Sequence, residues 1–360
     1  MKLKTIFLLT SLSFSAATHA SWVDLLKEGW KDPKATLAKA KKASGTITVC
    51  FASEKKKMPG VVAPYLKKEL PRVKVNYVFK GSGQLMKNMA NGNPDKCDLV
   101  SPASQVSAMS WEGYSDKVQK LFYSPLVFVM KKKAADAIAP KLKDKEILVA
   151  NMLEFANQRW KKFAPEAGLK GKIRIAFTNP ELSNSGLVAL MTYVYTKADK
   201  YEPIDADDVA NVETDLKMFW KKTSHREAST GKLTNLFMSS GRFSGIFTYE
   251  NLLPKLVKKM GVANLTVIYP EYAVMNNHPV YNVSKDPKNK KAANAFISLL
   301  LTQDLQSDLS RKLGFRPSHP DAKIAFDAET TKLVQIDMGE VDLPVDRGIV
   351  GELIETVNGN

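Results

Sequence analysis

The sequence predicts an α/β protein of two lobes, and three observations support this prediction. Short β-rich runs alternate with helical patterns along most of the chain, which is typical of parallel βαβ units. Several of the predicted strands end in turns that contain serine and glycine. A longer apolar run at 122–130 suits a strand that crosses to a second lobe.

The first residues are typical of a secretory signal peptide over 1–20. A basic start with Lys2 and Lys4 precedes an apolar run at 6–17, and small residues lead to a cleavage point after Ala20. The apolar run is shorter than the ~20 residues that a membrane span needs. Residues 21–44 are amphipathic and predict an N-terminal helical extension. We therefore expect an exported protein of the periplasm.

Strands and helices then follow in order. The first set has strands at 46–51, 73–79 and 98–100, and helices at 59–70, 85–90 and 105–111. The second set has strands at 147–150, 173–177 and 243–249, and helices at 152–163, 187–195, 207–220, 232–239 and 251–260. Strands at 265–269 and 280–283 are expected to return the chain to the first lobe, and helices at 289–313 and 349–357 complete the pattern. The expected organisation is lobe 1 at 45–125 plus 262–320, lobe 2 at 126–261, and a C-terminal extension at 321–360.

Small polar residues mark the carboxyl ends of the predicted strands, where open parallel sheets bind ligands. The candidate contacts are Ser53, Ser82, Gly83, Ser101, Ser104, Ser183, Asn184, Ser185, Gly186, Tyr249 and Glu250. The turn from Ser183 to Gly186 is the most informative, because a helix that starts there directs free N–H groups and a positive dipole end at one point. The alternative is that Ser183 or Ser185 only caps the helix.

The chain is strongly basic, with a formal net charge of +16 that falls by two when Lys2 and Lys4 leave with the signal peptide. Its lysines occur in pairs and triplets beside helical patterns, where solvated faces are expected. No nucleic-acid-binding motif accompanies them, so we expect no nucleic-acid partner. An anionic ligand remains consistent with this charge.

Two cysteines, Cys50 and Cys97, precede the turns at Ser53 and Ser101 by three and four residues. If the two strands are neighbours with aligned ends, the cysteines lie nearly side by side, since neighbouring strands are ~4.8 Å apart. A disulfide is then expected in an exported protein. Two buried free thiols are the alternative.

The chain resembles the type II periplasmic solute-binding proteins of ABC transporters, the group that includes sulfate, molybdate and iron binders. The segments that carry the likeness are Cys97-Asp-Leu-Val-Ser-Pro-Ala-Ser104, Tyr123-Ser-Pro-Leu-Val127, Thr178-Asn-Pro-Glu-Leu-Ser-Asn-Ser-Gly186, Tyr249-Glu-Asn251 and Gly314-Phe-Arg-Pro317. They cover roughly 45–320. The charged loop after Ser53 and the two extensions depart from the family pattern.

The resemblance implies two Rossmann-like lobes with mixed, mostly parallel sheets, joined by a two-strand hinge and closing over a captured ligand. Ser53 and Ser82 are then first-lobe contacts, Ser183 to Gly186 the second-lobe helix start, and Tyr249 a closing contact. It also implies a membrane permease of an ABC transporter as partner, and we expect a monomer. A sensor or surface complex is the alternative setting.

The expected ligand is a small anion such as an oxyanion, because hydroxyls and helix starts dominate the turns and Lys55 to Lys57 border them. Glu250 and Glu54 argue against this, since an unpaired carboxylate beside an anion is costly. They leave a cation, metal or polyamine as the alternative, unless Glu250 points into its lobe and is paired there.

An exported hydrolase is disfavoured, and we expect no enzyme activity, cofactor or metal. Nucleophilic catalysis needs a base beside the nucleophile. His278 and His319 lie beside prolines in expected loops, and His225 lies in a polar segment. Neither a Gly-x-Ser-x-Gly elbow nor a His-Glu-x-x-His pair occurs.

Overall fold

The computed structural model describes residues 33–223 and 226–359. The expected signal peptide, the first part of the N-terminal extension and His225 lie outside these residues. Within them, no helix combines the length and the apolar character that crossing a membrane requires.

The strands of the described chain form two mixed sheets. They are β1 Gly45–Ala52, β2 Val73–Lys80, β3 Leu99–Ser101, β4 Gln119–Lys120, β5 Phe122–Lys131, β6 Ile175–Thr178, β7 Arg226–Glu227, β8 Gly245–Tyr249, β9 Leu265–Ile268, β10 Met275–Asn276, β11 Pro279–Asn282 and β12 Arg316–Pro317. The smaller sheet has the order β2-β1-β3-β11-β4. The larger sheet has the order β10-β5-β8-β6-β7, and β9 and β12 also pair with β5. We call the parts of the chain built on the smaller and larger sheets lobe 1 and lobe 2.

The helices pack around these sheets. They are α1 Pro33–Ala40, α2 Met58–Glu69, α3 Ser82–Ala90, α4 Lys132–Ile138, α5 Met152–Phe155, α6 Trp160–Phe163, α7 Asn184–Ala198, α8 Ala206–Asn211, α9 Glu213–Lys222, α10 Thr230–Ser239, α11 Leu253–Met260, α12 Pro287–Leu300, α13 Gln303–Leu313, α14 Ala328–Thr331 and α15 Ile349–Asn358. Pro59 lies in the first turn of α2, where a proline costs no hydrogen bond. The helix α7 is buried along most of its length, which explains its almost continuous apolar sequence.

The predicted two-lobed α/β architecture is confirmed, and the sheets are mixed. Parallel pairing joins β1 to β2 and β3, and β6 to β7 and β8. Antiparallel pairings are more frequent than the sequence suggested, because β5, β10 and β11 carry the chain between the lobes in opposite directions. The strands expected at 265–269 and 280–283 were both assigned to lobe 1. In the structure, β9 pairs with β5 in the larger sheet, whereas β11 lies in the smaller one.

Several predicted elements differ from the structure. The helices expected at 207–220 and 289–313 are each divided, into α8 and α9 and into α12 and α13. The helix expected at 152–163 is divided into α5 and α6, because residues 157–159 bond to 171–173 instead of continuing the helix, and Asn157 takes a left-handed φ of 65°. Only a short 3-10 turn, Val106–Ala108, forms in the helix expected at 105–111. Residues 147–150 form no strand.

The cysteines form a disulfide, Cys50–Cys97, with a Cα–Cα distance of 5.7 Å. The expected bridge is therefore confirmed, but the strand ends are not aligned as assumed. Phe51, not Ser53, lies opposite Ser101. Cys97 lies before β3 begins, so the bridge fastens the segment leading into β3 to the centre of β1.

The C-terminal extension wraps lobe 2. The Arg316 guanidinium donates to the carbonyl oxygens of Gln335 and Ile336, at 2.6 and 3.2 Å. Farther along, Ile349, Leu353 and Val357 of α15 are buried in the same apolar core as the residues of α7 and α9. Residues 321–360 are thus an integral part of this lobe.

Candidate binding cleft

The first wall of the cleft is built where β1 ends in a 3-10 turn, Ser53–Lys55. Ser53 and Glu54 line the cleft, while Lys55 points inward and is fully buried. Its Nζ donates to Ser101 O, Ser101 Oγ and Pro102 O at 2.8–2.9 Å, and burial lowers its pKa to about 7. Lys55 was expected to border the cleft, and this expectation is wrong. The turn directs only Lys56 and Lys57 outward, and Lys55 fastens β1 to the end of β3.

Glu54 is the carboxylate of this wall. Its side chain is only 3% exposed, and burial raises its pKa above the ordinary value. Its Oε1 has no hydrogen-bond partner among the described residues. Nδ1 of His278 lies 3.7 Å from this oxygen, but burial lowers the pKa of His278 well below its ordinary value, so that imidazole is neutral. Oε1 of Glu54 is therefore a buried acceptor without a protein donor among the described residues.

His278 lies between β10 and β11, where the chain passes from one sheet to the other. Its backbone has a φ of 38° and bonds to Ala103 and Leu121, so it is held within the crossing. The sequence suggested only a loop beside a proline. No local signal indicates a hinge position, since the crossing depends on which sheets β10 and β11 join.

The turn at the start of α7 is occupied by protein groups. Asn184 Nδ2 donates to the Tyr249 hydroxyl at 3.0 Å and to Asn276 Oδ1 at 2.6 Å. The Ser107 hydroxyl of lobe 1 donates to Asn184 Oδ1. Asn184 therefore joins both lobes and the crossing strand β10. Tyr249 is almost fully buried beneath this contact, and burial raises the pKa of its phenol.

The serines of the same turn are also engaged. The Ser185 hydroxyl lies 2.8 Å from Thr178 Oγ1 and 2.7 Å from Thr230 Oγ1. Ser183 is the N-cap residue without a side-chain cap bond, and its hydroxyl lies 3.4 Å from Thr230 Oγ1. At Gly186 a Cβ would lie 2.2 Å from the carbonyl oxygen of Thr178, so only glycine allows α7 to pack this close to β6.

The first-lobe turns contact lobe 2 or support their own strands. Gly83 lies against Glu181. The Ser82 hydroxyl accepts from the Ala103 N–H at 3.0 Å, and the Ser104 hydroxyl from the Val106 N–H at 3.2 Å. Ser101 is buried and binds Lys55. In this closed arrangement most hydroxyls of the expected serine turns bond to protein.

Glu250 does not face the cleft. Its Oε1 accepts from Arg316 Nε at 2.8 Å, and its Oε2 accepts from Arg316 Nη2 and from the Tyr269 hydroxyl, both at 2.6 Å. The carboxylate is fully buried, and both of its oxygens are occupied. Glu250 was expected to contact the ligand, but it instead forms an ion pair with Arg316 inside the protein. Its partner lies 66 residues away, so no local pattern indicates which basic residue it would be.

A cleft of about 1050 Å³ opens above these contacts, between the two lobes. Ser53 is the expected contact residue that lines this cleft. Glu54 and Gly81, which were not among the expected contacts, line it as well. Basic residues dominate its walls: Lys56, Lys57, Lys80, Lys232, Lys255, Lys258, Arg311 and Lys312. The acidic ones are Glu54, Asp327 and Glu329.

Some of these basic residues are already paired. Lys80 pairs with Asp95, and Arg311 and Lys312 both pair with Asp308. Lys56, Lys57, Lys232 and Lys258 have no carboxylate within ion-pair distance in the described part of the chain. Lys255 of lobe 2 has its pKa lowered by partial burial and by the charge of Lys57 of lobe 1. Unneutralised ammonium groups thus face one another across the cleft.

The lysines of lobe 2 were not recognised as site residues from the sequence. Lys255 and Lys258 belong to α11, and Lys232 belongs to α10. Each lies beside a helical pattern of ordinary amphipathic type, where solvated lysines are the rule. Only the packing of α10 and α11 beside β8 places them on the cleft.

Two α/β lobes that close over such a cleft define the class of type II periplasmic solute-binding proteins. The chain belongs to the bacterial extracellular solute-binding protein family, whose model matches residues 47–316. No curated protein matches it significantly.

Solved structures share the fold at low sequence identity. The sulfate-binding protein from Mycobacterium tuberculosis is 19% identical with a TM-score of 0.57, over 86% of this chain and 95% of that one. A periplasmic thiamin binding protein is 15% identical with a TM-score of 0.60, over 87% and 96%. The ferric binding protein from Campylobacter jejuni is 12% identical with a TM-score of 0.57, over 87% and 96%. These similarities show the fold, and their different ligands leave the solute of this chain to be argued from its own residues.

Proposed function

We propose that this protein is exported to the periplasm, captures an anionic small solute in the cleft between its lobes, and delivers it to the membrane permease of an ABC transporter. The observation that carries the choice of an anion is that two lysines, Lys57 and Lys255, line this cleft. They belong to opposite lobes, and the charge of Lys57 lowers the pKa of Lys255. An anion between the lobes would replace this repulsion by two attractions, so it would stabilise the closed arrangement.

The acidic residues of the cleft do not offset these lysines. Asp327 caps α14 by accepting from Thr330 N and Thr330 Oγ1, at 3.0 and 2.6 Å. Glu329 pairs with Lys332. Burial favours the neutral form of Glu54, so this carboxyl repels an anion less than an ionised one would. The field in the cleft is therefore positive, which favours an anion over the metal or polyamine alternatives.

A thermal-shift panel tests the charge of the ligand. Sulfate and citrate should raise the melting temperature, whereas calcium, spermidine and glucose should not. A ligand present at 100 times its Kd stabilises by about 2.7 kcal/mol. Lys57→Gln and Lys255→Gln should each reduce the shift, and Lys74→Gln, at an exposed position of β2, is the matched control. A response confined to cations, or one that neither cleft variant reduces, would refute the proposal.

Export and delivery have their own tests. N-terminal sequencing of the protein from the periplasmic fraction should begin at Ser21, the residue after the expected cleavage. The purified protein should sediment as a monomer, and a transporter reconstituted with its permease should take up the solute only when the protein is added. Uptake that proceeds equally without the protein would instead favour a sensor role.

A further inference from the structure

The cleft is much larger than an inorganic oxyanion. If each heavy atom takes the ~30 Å³ that a water molecule occupies in the liquid, an oxyanion of five heavy atoms fills roughly 150 Å³. The cleft holds about 1050 Å³, which lies in the range of pockets that enclose organic ligands. A bare oxyanion would leave most of this space to water and could contact only part of the wall.

The free positive charges are spread over separate elements. Lys56 and Lys57 follow the 3-10 turn of lobe 1. Lys255 and Lys258 lie three residues apart on α11, so they share one face of that helix. Lys232 lies on α10. Cations placed on three different elements are neutralised best by anionic groups that are separated along an organic framework.

The same cleft also has apolar wall. Its lining includes Phe79 and Leu313 from lobe 1, and Leu252, Pro254 and Val257 from lobe 2. These side chains offer no polar group to an oxyanion. They provide surface for the carbon atoms of an organic ligand, where burial of apolar area is favourable.

Glu54 supplies the remaining requirement. It lines the cleft, its side chain is only 3% exposed, and its Oε1 lacks a hydrogen-bond partner among the described residues. A buried acceptor without a donor costs free energy, which a ligand can recover by donating to it. Sulfate has no donor to give, whereas a hydroxyl group has one.

We propose that the solute is a hydroxylated organic anion with two or more negative charges, such as a sugar phosphate or a hydroxylated polycarboxylate. Lys57 and Lys255 bind its anionic groups from opposite lobes, and Glu54 accepts a hydrogen bond from one of its hydroxyls. This inference rests on the proposed function and specifies its ligand class. It makes Glu54 the residue that discriminates against sulfate.

Isothermal titration calorimetry with matched probes tests it. Citrate is compared with tricarballylate, which lacks the hydroxyl, and glycerol 3-phosphate with propyl phosphate; sulfate and inorganic phosphate complete the panel. At least one hydroxylated probe should bind about tenfold or more tightly than its deoxygenated counterpart and than sulfate, as expected for a hydrogen bond to a buried carboxyl oxygen. Glu54→Met should abolish this preference.

The outcomes separate the two proposals. If sulfate or phosphate binds as tightly as every organic probe, in a manner that Lys57→Gln weakens, the anion site stands and the ligand class proposed here is wrong. The same holds if the hydroxyl preference is absent, or persists in Glu54→Met. If no anion of the panel binds, both proposals are refuted. Circular dichroism of Glu54→Met checks that it folds, and Glu54→Gln, which retains an acceptor oxygen, should keep part of the preference.

Discussion

Gly83 of lobe 1 lies against the carbonyl oxygen of Glu181 in lobe 2, so closely that a Cβ at position 83 would be 2.0 Å from that oxygen. Its neighbour Gly81 has the same relationship to Leu182, at 2.2 Å. Backbone thus packs on backbone where the lobes meet. The glycines in this turn are required for closure rather than for an unusual local conformation.

Gly83→Ala should hold the lobes apart without harming lobe 1. Position 83 is in the first turn of α3, and alanine favours a helix over glycine by up to about 1 kcal/mol, so folding is retained. The radius of gyration from small-angle X-ray scattering should rise, and anion binding should weaken about tenfold. Gly60→Ala is the matched control, since Gly60 lies in the first turn of α2 with open space around it. A variant that remains as compact as the parent would contradict this closure contact.

Asn184→Ala should destabilise the closed arrangement. The change removes the bonds to Tyr249 and Asn276 and leaves the Ser107 hydroxyl without its acceptor. Unsatisfied buried groups of this kind cost about 1–3 kcal/mol. We expect a lower melting temperature and a faster dissociation of bound citrate in stopped-flow measurements. Asn264→Ala, on an exposed turn of lobe 2, should change neither, and equal effects of the two substitutions would disprove the role of Asn184.

Arg316→Met should be one of the most damaging single changes in the protein. It leaves the Glu250 carboxylate buried without its cation, and breaking a buried pair in this way costs about 3–5 kcal/mol. Chemical denaturation measures the loss. The double variant Glu250→Gln, Arg316→Met should lose less than the sum of the single changes, because no uncompensated charge remains. Additive losses would show that the two side chains act independently.

Reduction of Cys50–Cys97 should destabilise the oxidised protein by about 2–4 kcal/mol, because the bridge closes a loop with a sequence separation of 47 residues. The measurement is the urea midpoint with and without dithiothreitol. The double variant Cys50→Ala, Cys97→Ala should start from the lower midpoint and show no response to the reductant. A response in that variant would trace the effect to something other than the bridge.

Asp308 should contribute to stability in a pH-dependent way. Hydrogen bonds from Lys312 and Arg311 hold the pKa of its carboxyl at about 2 in the folded state, below the ordinary value of 3.8. Because the folded-state pKa is depressed, the contribution is complete above about pH 4 and is lost as the pH falls towards 2. Its partners are exposed and screened, so about 1 kcal/mol is expected. Denaturation of Asp308→Asn should show this deficit at pH 7 and none near pH 2; a constant deficit would exclude the titration.

Much of the scaffold could be predicted because its signals are local. The strand at 46–51 and the helix at 59–70 were placed within one or two residues of β1 and α2, since alternation of apolar residues and flanking prolines act over a few positions. Ser53 was expected at a strand end beside the cleft for the same reason. Where a tertiary contact competes with local preference, as at Asn157, the predicted helix was wrong.

The sequence by itself determined the α/β class, the two-lobed family pattern, the cysteine pair and the excess of positive charge. Only the tertiary structure decided which charges matter, because that depends on the direction of each side chain. Lys55 and Lys57 are chemically identical and two residues apart, yet one is buried under Ser101 and the other faces Lys255 across the cleft. Likewise, Glu250 pairs with Arg316, which no local pattern could indicate, while Glu54 keeps a buried oxygen that has no protein donor among the described residues.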